Sequence, residues 1–468
     1  MIISQAAVNK KPSILINYLF FFYRACIIPF MSELDRENNR QALNGIKRVF
    51  AVLALLCSVL LIGIVGVAVY RALGYGTKIP QAPDVGSMVS IETTAKAVTL
   101  SEKLPANSLA DNMWGPLPVV TDKDVKEVKH FGVKGLYAGE CKNIDHIIDI
   151  CDNSELNTIV IDLKTEVQVC FNTTNETAKS IGYVYASYDL DKVVQTAHEH
   201  GIRVIGRIVS FNDSRAANKF PERAIKDKDG SLLHFKSESS RAFLDPYNKD
   251  NWEYLISLAD EAVGHGIDEI QFDYVRFPVG KTTEGTDPYF GEEGSVPTKA
   301  DSINRFLQTA KHLLSYGKGI PVGADIFGIV MTSSLDAKNI GQDFDSIGLT
   351  GIDSVAPMLY PSHYALGTMI GNMTFEYPDK EPYMLLYKVL EKKRDVYTSK
   401  DFTYLRPYLQ GFTATYIGEG NYMKYGYNQI NSQISAVKES GIDEFIIWDP
   451  TFNYPSGTYS GQISPDAQ

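Results

Sequence analysis

The chain has 468 residues, 44% of them hydrophobic and 22% charged, an ordinary globular balance with space for one large domain beside shorter segments. A formal net charge of −11 argues against the basic face that nucleic-acid binders carry, so no nucleic-acid partner is expected. The cysteines (Cys26, Cys57, Cys141, Cys151, Cys170) show no metal-type spacing; in the part after residue 70, a Cys141–Cys151 bridge competes with free buried thiols.

Residues 1–48 read as a cytoplasmic segment. Within them Ile14 to Phe30 is apolar but carries Arg24, which makes it a poor span, and Met31 offers an alternative start. Val49 to Tyr70 is an uncharged run long enough to cross a bilayer as a helix, and too long for a secretory leader. Arg36, Arg40, Lys47 and Arg48 precede it and only Arg71 and Lys78 follow closely. The positive-inside rule therefore predicts a single-pass protein of the cell membrane with everything after Arg71 extracellular. Residues 71–128, punctuated by Pro80, Pro83, Pro105, Pro116 and Pro118, read as a linker.

From 129 to 455 strand-like and helix-like stretches alternate. The expected order is strand 133–138, helix 144–151, strand 158–163, helix 190–200, strand 203–209, helix 252–264, strand 269–273 and helix 302–316. Strands 321–325 and 354–360, helix 383–394, strand 405–411, helix 428–439 and strand 444–448 follow. Eight β–α units of this kind predict an α/β fold, a (β/α)8 TIM barrel. The competing doubly wound sheet lacks its glycine-rich phosphate turn after the first strand. The Gly/Ser/Pro-rich end, 456–468, reads as a flexible tail.

Polar residues gather at the strand ends. In Thr158–Lys164, alternation puts Ile159, Ile161 and Leu163 on one face and Asp162 and Lys164 on the other, pointing into the barrel mouth. Arg207 ends the third strand. In Ile270-Gln271-Phe272-Asp273-Tyr274-Val275-Arg276-Phe277-Pro278, alternation sets Ile270, Phe272 and Tyr274 against Gln271, Asp273 and Val275. Asp273 there is either a site residue or the partner of Arg276. Asp325 ends the fifth strand, Tyr360, His363 and Tyr364 follow the sixth, Arg406 and Gln410 flank the seventh, and Trp448 and Asp449 close the eighth. Asp449 also fits a plain turn cap, and His363 a satisfied loop histidine.

Two carboxyl groups across a pocket, one protonated and one ionised, are what glycoside cleavage needs. Asp273 beside Arg207 and Arg276 suits the ionised role, as nucleophile or base. Asp325, between Ala324 and Ile326, suits the acid. Tyr274, Tyr360, Tyr364 and Trp448 offer flat faces for sugar rings. Asp162, Lys164, Arg207, Arg276, His363, Arg406 and Asp449 complete the expected substrate-binding set. No cofactor is expected. There is no Gly-x-Ser-x-Gly elbow and no HExxH pair. Asp162, Asp273 and Asp325 as ligands of a divalent cation remain the metal-dependent alternative, a carbohydrate deacetylase or hydrolase.

The segment from Val133 to Asp449 resembles the glycoside hydrolase domain family DUF4015, a glycosyl-hydrolase-like TIM barrel. The resemblance rests on Val133-Lys134-Gly135-Leu136-Tyr137, Val160-Ile161-Asp162-Leu163-Lys164, Arg207-Ile208-Val209 and Lys226-Asp227-Lys228-Asp229-Gly230. It continues through Asp245-Pro246-Tyr247, Glu269 to Pro278, Gly323 to Gly328, Met358 to Tyr364 and Arg406-Pro407. It implies a TIM barrel acting on a polysaccharide or cell-envelope glycan, without naming the sugar. Thr165-Glu166 departs from the family pattern after Lys164, which puts in doubt any role borrowed for that position. The non-enzymatic alternative is a barrel that only binds envelope glycan.

Overall fold

The structure, a computed structural model, describes residues 107–117 and 126–462. The expected span 49–70, the segment before it and most of the linker lie outside the described residues. Among the described residues no helix is long and apolar enough to cross a membrane.

Among the described residues, eight parallel strands close into a barrel. They are β1 (Lys134–Gly139), β2 (Thr158–Lys164), β3 (Arg203–Val209), β4 (Glu269–Asp273), β5 (Val322–Phe327) and β6 (Ser354–Met358). β7 comes in two pieces, Tyr404–Leu405 and Tyr408–Gln410, and β8 is Phe445–Trp448. Each pairs with the next in chain order, and β8 returns to β1 with Phe445 opposite Lys134. Two small antiparallel hairpins, His234–Phe235 with Arg241–Ala242 and Thr368–Ile370 with Met373–Phe375, stand outside this sheet.

The two-residue strand period divides the side chains. Ile159, Ile161, Leu163, Val204, Ile208, Ile270 and Phe272 belong to the large apolar layer shared with the helices. Val160, Ile205, Ala356, Tyr408 and Ile446 fill a smaller cluster inside the barrel. The helices follow the expected pattern. Leu190–Glu199 buries Leu190, Val193, Val194 and Ala197, and Asp189 accepts from the Lys192 N–H at 3.2 Å to cap it.

Boundaries move where caps decide them. The helix expected from Trp252 begins at Lys249, because Asn248 accepts from the Asp250 N–H. The one expected over 302–316 begins at Lys299 behind a Thr298/Asp301 capping box and ends in a π-helical turn, Lys311–Tyr316.

Two segments expected to be loose are packed where they are described. In the linker, Ser108–Trp114 is a helix whose Trp114 ring lies 5.4 Å from Trp252 and 5.8 Å from Tyr247, while Asp111 pairs with Arg305 at 2.7 Å. At the other end Tyr459 is fully buried, and the Gly461 N–H donates to Asn431 Oδ1 at 2.7 Å. In both cases an aromatic ring finds an apolar seat that composition does not announce. Cys141, Cys151 and Cys170 are free and buried.

Candidate functional site

The site forms where β2, β3, β4 and β5 reach the C-terminal mouth of the barrel, and register assembles it. Asp162 on β2 stands directly opposite Arg207 on β3, and Val209 opposite Asp273 on β4. Arg207 Nη1 donates to Asp162 Oδ1 at 2.5 Å. Its Nη2 and Nε reach Asp273 Oδ2 at 2.5 and 3.0 Å. The same Nε lies 3.9 Å from Asp325 Oδ2. One planar guanidinium thus gathers carboxyls from three other strands, which a point-charge lysine does less well.

The three acids differ in their surroundings. Asp162 also accepts from the Tyr137 hydroxyl at 2.5 Å; burial nevertheless raises its carboxyl, against the pull of Arg207 and of that hydrogen bond. Asp273 accepts in addition from the backbone N–H of Tyr274 at 2.5 Å. Asp325 is 1% exposed and neither of its oxygens has a hydrogen-bond partner. Burial, reinforced by the Asp273 charge, pushes it well above the ordinary carboxyl range. Gln342 shapes this strand end, donating to the Asp325 carbonyl at 3.2 Å and accepting from the Phe327 N–H at 3.0 Å.

An aromatic wall faces the carboxyls. Tyr360 stacks on Trp448 at 5.5 Å and 22°, His363 meets Tyr360 edge-on at 4.9 Å, and Phe412 stands edge-on to Trp448 at 5.2 Å. Tyr137 and Phe452 extend the wall, at 5.7 Å from each other. Phe452 reaches this place because Gly139 has φ +50 and no side chain; a Cβ there would sit 2.7 Å from the ring. Phe412, Phe452 and Tyr137 escaped the sequence reading, since a lone aromatic near a strand end looks the same whether it lines a mouth or the core.

Several expected residues lie elsewhere. Arg276 does not touch Asp273: its guanidinium makes a two-pronged pair with Glu238 at 2.8 and 3.2 Å, and its ring neighbours include Tyr274 at 4.9 Å. The reason is Tyr274, whose φ of +48 ends the alternation, so that Val275 joins the outer core. Lys164 leaves the inward line because β2 slips register between Asp162 and Lys164. Its ammonium is buried against Asp213 at 2.9 Å and the Val209 carbonyl at 2.8 Å.

Arg406 lies at the opposite, N-terminal end of the barrel, paired with Glu269 at 2.6 Å and Glu444 at 2.8 Å. It sits in the break between the two pieces of β7 rather than at the end of a whole strand. Asp449 is 4% exposed and accepts from the N–H and hydroxyl of Thr451, both at 2.7 Å, the turn-cap alternative. Tyr364 is buried beside the sixth strand rather than open to the mouth, whereas His363 is exposed.

Among the described residues no group of three or more His, Cys, Asp or Glu side chains is arranged to hold a metal ion. Between Asp162, Asp273 and Asp325 the position a cation would take is filled by Arg207 itself.

The family model described as "Putative glycosyl hydrolase domain", DUF4015, matches residues 133–454. Among solved structures, the chain is similar to a hypothetical protein from Ruminiclostridium thermocellum ATCC 27405, with 36% identity covering 41% of this chain and 96% of that one, at a TM-score of 0.36. It is similar to the PgaB (BpsB) glycoside hydrolase domain from Bordetella bronchiseptica, with 12% identity over 69% of this chain and 94% of that one, TM-score 0.49. TtGalA, an alpha-galactosidase from Thermus thermophilus, shares 11% identity over 70% of this chain and 60% of that one, TM-score 0.41. No curated protein matches the chain.

Proposed function

The chain belongs to the DUF4015 family of glycosyl hydrolase domains, and from that premise we propose that it cleaves a polysaccharide at the barrel mouth with Asp273 and Asp325 as its paired carboxyls. The observation that carries this reading is the shared guanidinium. Arg207 binds Asp273 directly and stands 3.9 Å from an Asp325 that has no other partner and whose carboxyl is pushed well above the ordinary range.

Asp273 is the ionised carboxylate, the nucleophile or the base, oriented by Arg207 and by the Tyr274 N–H. Asp325 carries the proton for the departing glycosidic oxygen; its unbonded oxygens leave that proton free to move. The anomeric configuration of the first product sorts the mechanism: carboxyls about 5–5.5 Å apart belong to retaining enzymes and about 6.5–9.5 Å apart to inverting ones. Trp448 and Phe412 support the sugar ring, with Tyr360 and His363 behind them. Asp162 holds the other arm of Arg207.

The 49–70 run anchors the protein in the cell membrane with the barrel outside, so the substrate is an extracellular or cell-envelope glycan. The test is to incubate the purified protein with cell-wall and capsular polysaccharides and measure released reducing ends. Cleavage that Asp273→Asn and Asp325→Asn each reduce by about a hundredfold or more supports the roles. Cleavage untouched by both substitutions refutes them. Binding without turnover returns the barrel to the non-catalytic alternative.

A further inference from the structure

The carboxyls around Arg207 are not equally accessible. The Asp162, Asp273 and Asp325 side chains are 5%, 5% and 1% exposed, so a substrate arriving at the mouth finds little of them on the surface. Glu166 is different. It lies on the loop that leaves β2 two residues after Lys164, and its side chain is 32% exposed. Its Oε1 stands 3.4 Å from Arg241 Nη1, on the hairpin of the loop after β3. That ion pair joins the loops leaving β2 and β3, at the same C-terminal end of the barrel as Asp162 and Arg207, and the Glu166 charge is felt by Asp162 and by the Tyr274 phenol.

Burial alone raises the Glu166 carboxyl, but a hydrogen bond from its own backbone N–H, with Arg207 and Arg241, brings it below the ordinary glutamate range. It therefore stands at the mouth as an anion, an acceptor and not an acid. The cations nearby are already engaged. Arg207 is shared by three carboxyls, Arg276 is paired with Glu238, and Arg241 leans on Glu166. No guanidinium of this set is left to receive a carboxylate, sulfate or phosphate on a sugar.

We propose that Glu166 is a specificity-determining residue of this mouth, accepting hydrogen bonds from hydroxyl or ammonium groups of the sugar beside the scissile bond and excluding anionic polysaccharides. This rests on the hydrolase reading above for its location, but it concerns recognition rather than turnover.

The test separates binding from cleavage. Full-length protein carrying Asp325→Asn, which leaves the Arg207 pairs with Asp162 and Asp273 in place, is titrated calorimetrically with cellohexaose, chitosan hexasaccharide and hexagalacturonate, with and without Glu166→Gln and Glu166→Lys. Thermal melts confirm that each variant is folded. The expected result is binding of a donor-bearing probe, weakened about tenfold by Glu166→Gln, with hexagalacturonate bound only by Glu166→Lys. Binding by cellohexaose but not the chitosan probe assigns the donor as hydroxyl, and the reverse assigns it as ammonium. Hexagalacturonate bound by the parent as tightly as the other probes, no binding of either donor-bearing probe, or affinities that Glu166→Gln leaves unchanged would each overturn the inference. Failure of the hydrolase reading looks different: a donor-bearing probe bound by the parent, weakened by Glu166→Gln, yet never cleaved by the wild-type chain.

Discussion

Both carboxyl oxygens of Asp325 lie inside the barrel without a hydrogen-bond partner, an arrangement that stability alone disfavours. Because its folded pKa is raised, this group's contribution to stability is fully present below the ordinary carboxyl range and is lost as pH rises through the folded value. Asp325→Asn removes that titration. The variant is expected to gain about 1–3 kcal/mol near neutral pH, an advantage that disappears near pH ~3, while losing cleavage. Urea unfolding at the two pH values checks the first half and reducing-end release the second. A uniform loss of stability at both pH values would mean that the aspartate is a packing residue.

At the scale of elements, the end of β4 decides which residues meet. Tyr274 adopts φ +48, a left-handed conformation that costs a non-glycine residue roughly 1–2 kcal/mol, and it turns its own N–H toward Asp273. Replacing Tyr274 by Gly and by Ala removes the same ring, but only Gly relieves the backbone. Tyr274→Gly is therefore expected to be about 1–2 kcal/mol more stable than Tyr274→Ala in denaturant unfolding. Equal stabilities would show that the turn carries no strain. The same local geometry explains why Arg276 reaches Glu238 and why the alternation read along this strand holds only as far as Asp273. In β2 the register slip at Lys164 plays a similar part, sending its ammonium to Asp213 and leaving Asp162 alone at the inward position.

Across the whole molecule the two ends of the barrel divide the work. The C-terminal mouth carries the carboxyls and the aromatic wall. The N-terminal end is closed by Arg406 between Glu269 and Glu444, all three nearly inaccessible, with His130 on the far side of Glu444. Arg406→Met strands two buried carboxylates and is expected to cost about 3–5 kcal/mol at neutral pH. The cost shrinks under acid conditions, because the Glu444 carboxyl, raised by burial but pulled lower overall by Arg406 and His130, loses its contribution as pH falls through its depressed folded value. The kcat of the fraction that remains folded should not change. A kcat loss larger than the loss of folded protein would place Arg406 in the reaction after all.

Much of this protein is legible from its residues one after another. The β–α alternation, the inward place of Asp162, and the strand ends bearing Asp162, Arg207, Asp273 and Asp325 follow from periods of two and 3.6 that local sterics and burial impose on any chain. What a linear reading does not contain is partnership across the barrel. Arg207 was free to pair with any acid, Arg276 stood next to Asp273 in sequence, and Arg406 looked like one more charge at a strand end. Barrel closure and strand register chose among these, because an ion pair is decided by distance through space, and only the folded sheet sets which strand ends are a few ångströms apart and which are at opposite poles.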